Sequence, residues 1–389
     1  MENIKQNMQK AFEQNEFLVN LMVIFTVLFL AISLIIYISN EISKKESNCR
    51  RINEEYKNSS SIANINYESE DYLNYYLSEY YVLSAYNCCC SGNNKNDYVD
   101  LCALENCIKQ GARFLDFQIY NKLGRSIVAS SSVPSFKYKE TYNFLETDEV
   151  LDTVINKAFS SGSCSNYTDP LILYFRMFTD EVNVYNDLAQ KITENLSPRL
   201  LSSMNYSNES DGNNILNKKL KTFKERIIIM IHVDNEDVYN KSKLKQYVNI
   251  ASGPRKQFIQ KMNSFSVITN QDLDGIKDYN RLNSTIVVPN LSTNNINYDP
   301  SIPLKTGCQF ICMNMQNKDN YLKYLLKMFN GSNTAFLLKP ESLRGIIVEI
   351  PASERISREN CSIGACIKYK VGDKIRHLPH DKCGHLDVG

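Results

Sequence analysis

Histidine is the side chain most often used to move a proton near neutral pH, and this chain of 389 residues contains four. Three of them, His377, His380 and His385, share the last stretch with Cys361, Cys366 and Cys383. The spacing Cys-x4-Cys followed by His-x2-His-x2-Cys-x-His supplies ligand types for a tetrahedral zinc ion, although no regular finger has this spacing. A Cys361–Cys366 disulfide, or free thiols beside exposed histidines, is the competing reading. His232 is then the one histidine in the body of the chain. Cys88-Cys89-Cys90 could offer a thiol nucleophile, but without Cys-x-x-Cys spacing or a neighbouring histidine it reads better as a small-residue turn. The stretch 110–121 reads as a helix end closed by Gly111, then a strand. Asp116 and Gln118 fall on one face of that strand, and Leu115, Phe117 and Ile119 on the other. The polar face suits the mouth of a barrel.

Such groups need elements to hold them at fixed distances. Between 72 and 350, segments at 81–85, 114–119, 126–129, 171–175, 227–233, 265–269, 310–313 and 335–338 read as strands. Helical stripes lie between several of them. Val150, Leu151, Val154, Ile155 and Ala158 form one, with Thr147 as N-cap. Leu188, Ala189, Ile192 and Leu196 form a second. Tyr321, Leu322, Leu325, Leu326 and Phe329 form a third, opened near Asn317 and closed near Gly331. The segment 205–219 reads as a surface loop, and 235–243 as short and charged. Eight strands with interleaved helices predict an α/β fold, a (β/α)8 TIM-type barrel. A doubly wound open sheet is the alternative, but no Gly-rich phosphate loop marks a switch point.

Before the barrel, residues 1–16 are polar and 17–38 are almost wholly apolar. As a helix the latter would span about 33 Å, enough to cross a bilayer core, which predicts a single transmembrane helix. The run is too long for the apolar core of a signal peptide, and no small-x-small cleavage site follows. Residues 39–71 read as a polar spacer, helical at first and loose further on, and 351–389 as a Cys/His-containing tail. Lys44, Lys45, Arg50 and Arg51 follow the apolar run, against Lys5 and Lys10 before it. That bias places the C-terminal part in the cytosol, and 12 cysteines without framework spacing suit a reducing compartment. A net charge of +1 argues against nucleic acid as a partner. With 24 Tyr, no Trp and many Asn, Lys and Ile, the composition is that of an AT-rich genome, as in large DNA viruses or some protists. In such a composition Asn-x-Ser/Thr matches, at Asn58, Asn166, Asn283 and Asn330 among others, arise by chance unless the chain faces a lumen.

Over about residues 80–350 the segments resemble the X and Y halves of eukaryotic-type phosphoinositide-specific phospholipase C. Gly111-Ala112-Arg113-Phe114-Leu115-Asp116-Phe117-Gln118 is similar to that family's Gly-x-Arg-x-x-Glu-Leu-Asp strand. Asp169-Pro170-Leu171-Ile172-Leu173-Tyr174-Phe175-Arg176 is similar to its Tyr-Pro-Leu-Ile-Leu-Ser-Leu-Glu strand, and 224–229 to the strand that ends its first half-barrel. In the second half, Asn297-Tyr298-Asp299-Pro300, Gly307-Cys308-Gln309 and the run to Gln316, and Leu338-Lys339-Pro340-Glu341-Ser342-Leu343-Arg344 resemble its motifs in order and spacing.

The resemblance implies a reaction run by two histidines and a carboxylate-held calcium, and this chain departs from it at those positions. Tyr86, or Ala85, stands at the first histidine, and Ser130 falls at the second. Of the calcium ligands Asn87 is kept, while Asp116, Gln118 and Arg176 replace a Glu, an Asp and a Glu. A guanidinium in place of a carboxylate repels a divalent cation, so calcium binding is expected to be lost, with Arg176 paired to Asp116 instead. The substrate arginine motif becomes 286–289, and the phosphate-binding lysines fall near Met230 and His232. These substitutions predict no catalytic residues and no resident cofactor in the barrel. The expected protein is a membrane-anchored pseudoenzyme with a structural or interaction role, bound to a bilayer through 17–38 and to a protein partner or shell, as in a virion membrane. The alternatives are a divergent phosphodiesterase and a module that binds a phosphoinositide or inositol phosphate headgroup.

Overall fold

Ile227–His232 is apolar at nearly every position, the pattern of a parallel strand covered on both faces, and all six residues are buried. In the computed structural model, which describes residues 2–59, 62–68, 73–133, 135, 137–202, 214–345, 368–371 and 374–377, this segment is one stave of a barrel. The strands are β1 (Tyr80–Ala85), β2 (Phe114–Lys122), β3 (Arg125–Val128), β4 (Leu145–Glu146), β5 (Leu171–Met177), β6 (Ile227–His232), β7 (Ile250–Ser252), β8 (Ile259–Asn263), β9 (Ser284–Val288), β10 (Phe310–Met313) and β11 (Phe336–Leu338). The order β7-β6-β5-β2-β1-β10-β9-β8 is parallel at every step. No ladder joins β7 to β8, so the eight-stranded ring is nearly closed.

The helices are α1 (Glu2–Tyr56), α2 (Leu101–Lys109), α3 (Thr147–Ala158), α4 (Val182–Leu196), α5 (Glu236–Lys241), α6 (Ser264–Ile268), α7 (Leu273–Leu282), α8 (Ser301–Lys305) and α9 (Asn320–Ser332). The three expected stripes lie on the buried faces of α3, α4 and α9, except that Tyr321 is exposed and Ile155 half-buried. Thr147 lies inside α3, after its N-cap Glu146, and its hydroxyl donates to the Ser126 carbonyl at 2.8 Å. Gly111 follows α2 at φ +86°, and an added Cβ there would lie 3.0 Å from Cβ of Ile62. Both the handedness and the space require glycine.

The barrel expected from sequence is present, with different staves. The segments near 81–85, 114–119, 171–175, 227–233 and 310–313 are barrel strands. The segment 126–129 is β3, an antiparallel arm on β2, and 335–338 is β11, antiparallel to the start of β1. The segment 265–269 is not a strand. Asn263 accepts from the Ser266 amide at 2.7 Å and starts α6 there. The three remaining places in the ring are filled by β7, β8 and β9. β7 has three residues, too few to show a period, and β8 is only partly buried after Ile259.

The described chain forms two compact units, Met1–Gly345 and Ile346–Gly389. In the second, β12 (Lys368–Val371) and β13 (Lys374–His377) form an antiparallel pair. His377 ends β13. Cys361, Cys366, His380, Cys383 and His385 lie outside the described residues, and so does most of the 205–219 loop.

α1 runs unbroken through the apolar stretch and is long and apolar enough to cross a membrane. The start of the expected spacer is helical, as read from sequence, but its later part is packed on the barrel rather than loose. Ile52 and Tyr56 are buried in the barrel core, and the Tyr56 hydroxyl donates to the Met315 carbonyl at 2.7 Å. Further on, Ile62 and Ile65 pack in, and the Ile65 amide donates to Asp169 at 2.8 Å. A disulfide joins Cys49 on α1 to Cys102 on α2, where the cysteine spacing suggested free thiols. The two are 53 positions apart and meet only because the helices pack, so no local pattern marks them.

Candidate functional site at the barrel mouth

Parallel ladders bring residues from different strands to one level of the ring. Gln118 on β2 pairs in register with Arg176 on β5, Arg176 with His232 on β6, and His232 with Ser252 on β7. These are strand ends at the C-terminal face, where TIM barrels place their active sites. The expected residues Tyr86, Asn87, Asp116, Gln118, Ser130 and Arg176 all meet there, and all six are buried.

Arg176 is the centre of the cluster. Its Nε donates to Asp116 Oδ1 at 2.6 Å, and its Nη2 donates to Asp116 Oδ2 at 2.6 Å and to Asn87 Oδ1 at 2.7 Å. The guanidinium lies 4.6 Å from the Tyr86 ring centroid. Burial opposes its charge, but the Asp116 carboxylate outweighs that and holds its pKa well above the usual arginine range. Asn87, at φ 42°, also sends its own amide to Asp116 Oδ2 at 2.9 Å. Burial raises the pKa of the Tyr86 phenol despite Arg176 beside it, so it stays protonated at neutral pH.

The rest of the mouth is filled by amides and hydroxyls that bond to one another, while Gln118 Nε2 is buried without a hydrogen-bond partner. Asn87 Nδ2 donates to Asn94 at 3.0 Å and to Ser130 at 3.1 Å, and the Ser130 hydroxyl donates to Asn94 at 2.9 Å. Gln118 Oε1 accepts from the Tyr120 hydroxyl at 2.9 Å and the Ser131 amide at 3.0 Å. Over this lies Glu140, which accepts from Ser131 and Ser132 and pairs with Lys95 at 2.9 Å. Partial burial works against its charge, but the bonds from Ser132 and Lys95 prevail and lower its pKa to about 2.

The donor set does not fit a calcium ion. Calcium takes six to eight oxygens, carboxylates foremost. Here the one carboxylate at the old position has both oxygens on a guanidinium, and the Asn87 and Gln118 oxygens are committed as well.

A second polar group lies at the β6–β8 side. His232 Nδ1 is 2.9 Å from Ser252 Oγ, which is also 2.9 Å from the Tyr174 hydroxyl, and His232 Nε2 is 3.2 Å from Asp234. Burial lowers the His232 pKa, partly offset by Asp234, so the ring is neutral at pH 7. Lys261 on β8 has its pKa lowered to about 8, by burial first and then by Arg176. Sequence reading found His232 but not its partners, nor Asn94 and Glu140. Ser252 and Lys261 sit on β7 and β8, whose patterns were too short or too mixed to see, and Asn94 and Glu140 sit on loops with no motif. The Cys88–Cys90 thiols are buried, and burial raises all three pKa values, which fits a turn rather than a nucleophile.

No family model matches the sequence, and no curated protein matches it either. Solved structures do share the fold. PLC21 of L. pealei superposes with a TM-score of 0.56 at 19% identity, over 70% of this chain and 38% of its own. PLC21 of S. officinalis gives 0.56 at 18% identity, over 71% of this chain and 38% of its own. The chain therefore spans little more than a third of the length of those proteins.

Proposed function

The chain has the barrel fold of the phosphoinositide-specific phospholipases C, and from that premise we propose that it is a membrane-anchored, catalytically inactive form of that barrel. The observation that carries this is the threefold grip of Arg176 on Asp116 and Asn87. In-line attack at phosphorus needs a nucleophile activated by a base or metal, and an acid for the leaving oxygen. Tyr86 and Ser130 supply neither near neutrality, and the guanidinium stands where the cation would have to sit. Calcium binding is lost with it. The anchor is α1, whose exposed residues 17–38 would lie in the bilayer and whose far end is built into the barrel. A barrel fastened to its anchor by a disulfide and buried side chains suits a structural or interaction role, joining a membrane to a protein partner such as a virion shell.

The test is release of labelled inositol phosphates from mixed micelles of phosphatidylinositol and its phosphorylated forms, with and without calcium. The expected result is no turnover in either condition. The second reading, a divergent phosphodiesterase or headgroup-binding module, is favoured by the His232–Asp234–Ser252 string beside Lys261. Turnover that vanishes in His232→Ala would establish the divergent enzyme. Saturable binding of inositol phosphate lost in Lys261→Ala would establish the binding module.

A further inference from the structure

The cytosolic orientation expected from sequence rests on a narrow bias, four cations after the apolar run against two before it, and on cysteines read as free. The folded cysteines point the other way. Nine of the 12 lie among the described residues. Cys49 and Cys102, the two with partly exposed side chains, are joined, and the other seven are buried. Burial raises the pKa of Cys88, Cys89 and Cys312 well above the usual thiol range, and that of Cys90 to about 12, so little reactive thiolate forms there. Among the described residues, the partly exposed cysteines are oxidised and the other seven are shut away. A reducing compartment rarely allows such a bridge to persist.

The bridge also fixes where the barrel is. Cys49 follows Ile38 on the same unbroken helix, about 16 Å along its axis, and Cys102 belongs to the barrel wall. Whichever side of the membrane made the bridge holds the whole barrel. On that side the Asn-x-Ser/Thr sequences become acceptors. Asn290-Leu291-Ser292 is exposed at all three positions on the loop between β9 and α8, and Asn58 is exposed just beyond α1. Asn166 differs. It is buried, with Oδ1 on Arg113 at 2.9 Å and Nδ2 on the Gly111 carbonyl at 3.0 Å, so the fold has no room for a glycan there.

We propose that the barrel stands on the oxidising, extracytosolic side of its membrane, with residues 1–16 in the cytosol, and that Asn58 and Asn290 carry N-linked glycans. The proposal rests on reading 17–38 as a membrane span. The Cys49 and Cys102 thiols give two electrons and two protons to the disulfide of a resident thiol–disulfide oxidoreductase, which becomes the dithiol. In glycan transfer the asparagine Nδ2 bonds to C1 of the sugar, polyprenyl diphosphate leaves, and one amide proton passes to the transferase.

The test uses the full chain with an N-terminal tag, made in sealed endoplasmic reticulum microsomes. Protease should remove the tag and spare the barrel until detergent is added. Glycosidase should collapse a mobility shift from which Asn290→Gln and Asn58→Gln each remove one step and Asn166→Gln removes none. A barrel digested without detergent, with the tag spared, overturns the orientation. A protected barrel with no glycosidase-sensitive step overturns the glycan assignment. A chain digested at both ends and extracted by carbonate overturns the membrane span on which the proposal rests.

Discussion

Arg176 and Asp116 form an ion pair with almost no access to water, 3% and 0% exposed at the side chains. Such a pair adds little net stability over apolar residues of the same volume, because desolvating two charges offsets their attraction. Removing one partner is another matter, since it strands the other charge, at about 3–5 kcal/mol. Asp116→Ala in the detergent-solubilised chain should therefore lower the urea midpoint by an amount of that order. Adding Arg176→Met to it should restore most of the loss, since no buried charge is left. If the double variant is no better than Asp116→Ala, the pair is not the reason the carboxylate matters. The bidentate geometry is short and charge-assisted, which makes it the strong form of such a pair.

At the scale of elements, the loop between β3 and β4 depends on Glu140, which gathers Ser131, Ser132 and Lys95. Its pKa is about 2 in the fold, against about 4.3 for an unfolded glutamate. A depressed carboxyl pKa contributes stability above the unfolded value and loses it as the pH falls through the folded one. Amide exchange in 137–144 should then accelerate between about pH 4 and pH 2, and Glu140→Gln should flatten that dependence. A loop whose exchange is indifferent to this range would show that Glu140 is incidental.

The same loop marks how far sequence reading reached. β1, β2, β5, β6 and β10 were legible because long apolar or alternating runs encode double burial. β7, β8 and β9 were not, because a stave held between neighbours on a ring needs few residues and no clean period. The mouth residues were found through motif resemblance, since nothing in their own spacing joins Asn87, Asp116 and Arg176. Ser252 beside His232 is a product of strand register, which no single segment records. The Cys49–Cys102 bridge is likewise a product of packing between α1 and α2.

For the molecule as a whole, α1 is both a helix long and apolar enough to cross a membrane and a part of the barrel's packing. Its apolar stretch is exposed, yet from Asn48 onward it is fastened to the barrel. Asn48 donates to Asp97 at 2.7 Å, Cys49 is bridged to Cys102, Arg51 donates to the Gln316 carbonyl at 2.8 Å, and Ile52 and Tyr56 are in the core. The position of a truncation should therefore matter more than its length. Deleting residues 1–40 removes the span and keeps every residue that makes these contacts, so, once folded under oxidising conditions that close the bridge, it should give a soluble barrel with the melting temperature of the detergent-solubilised chain. Deleting residues 1–57 removes the bridge, worth about 4 kcal/mol for a loop of this size, and the burial of Ile52 and Tyr56, about 1.5–3 kcal/mol each. That fragment should be insoluble or melt far lower. Equal melting of the two fragments would make the end of α1 a passenger on the barrel. Retention of the shorter deletion on membranes after a carbonate wash would show that the barrel has a membrane contact of its own.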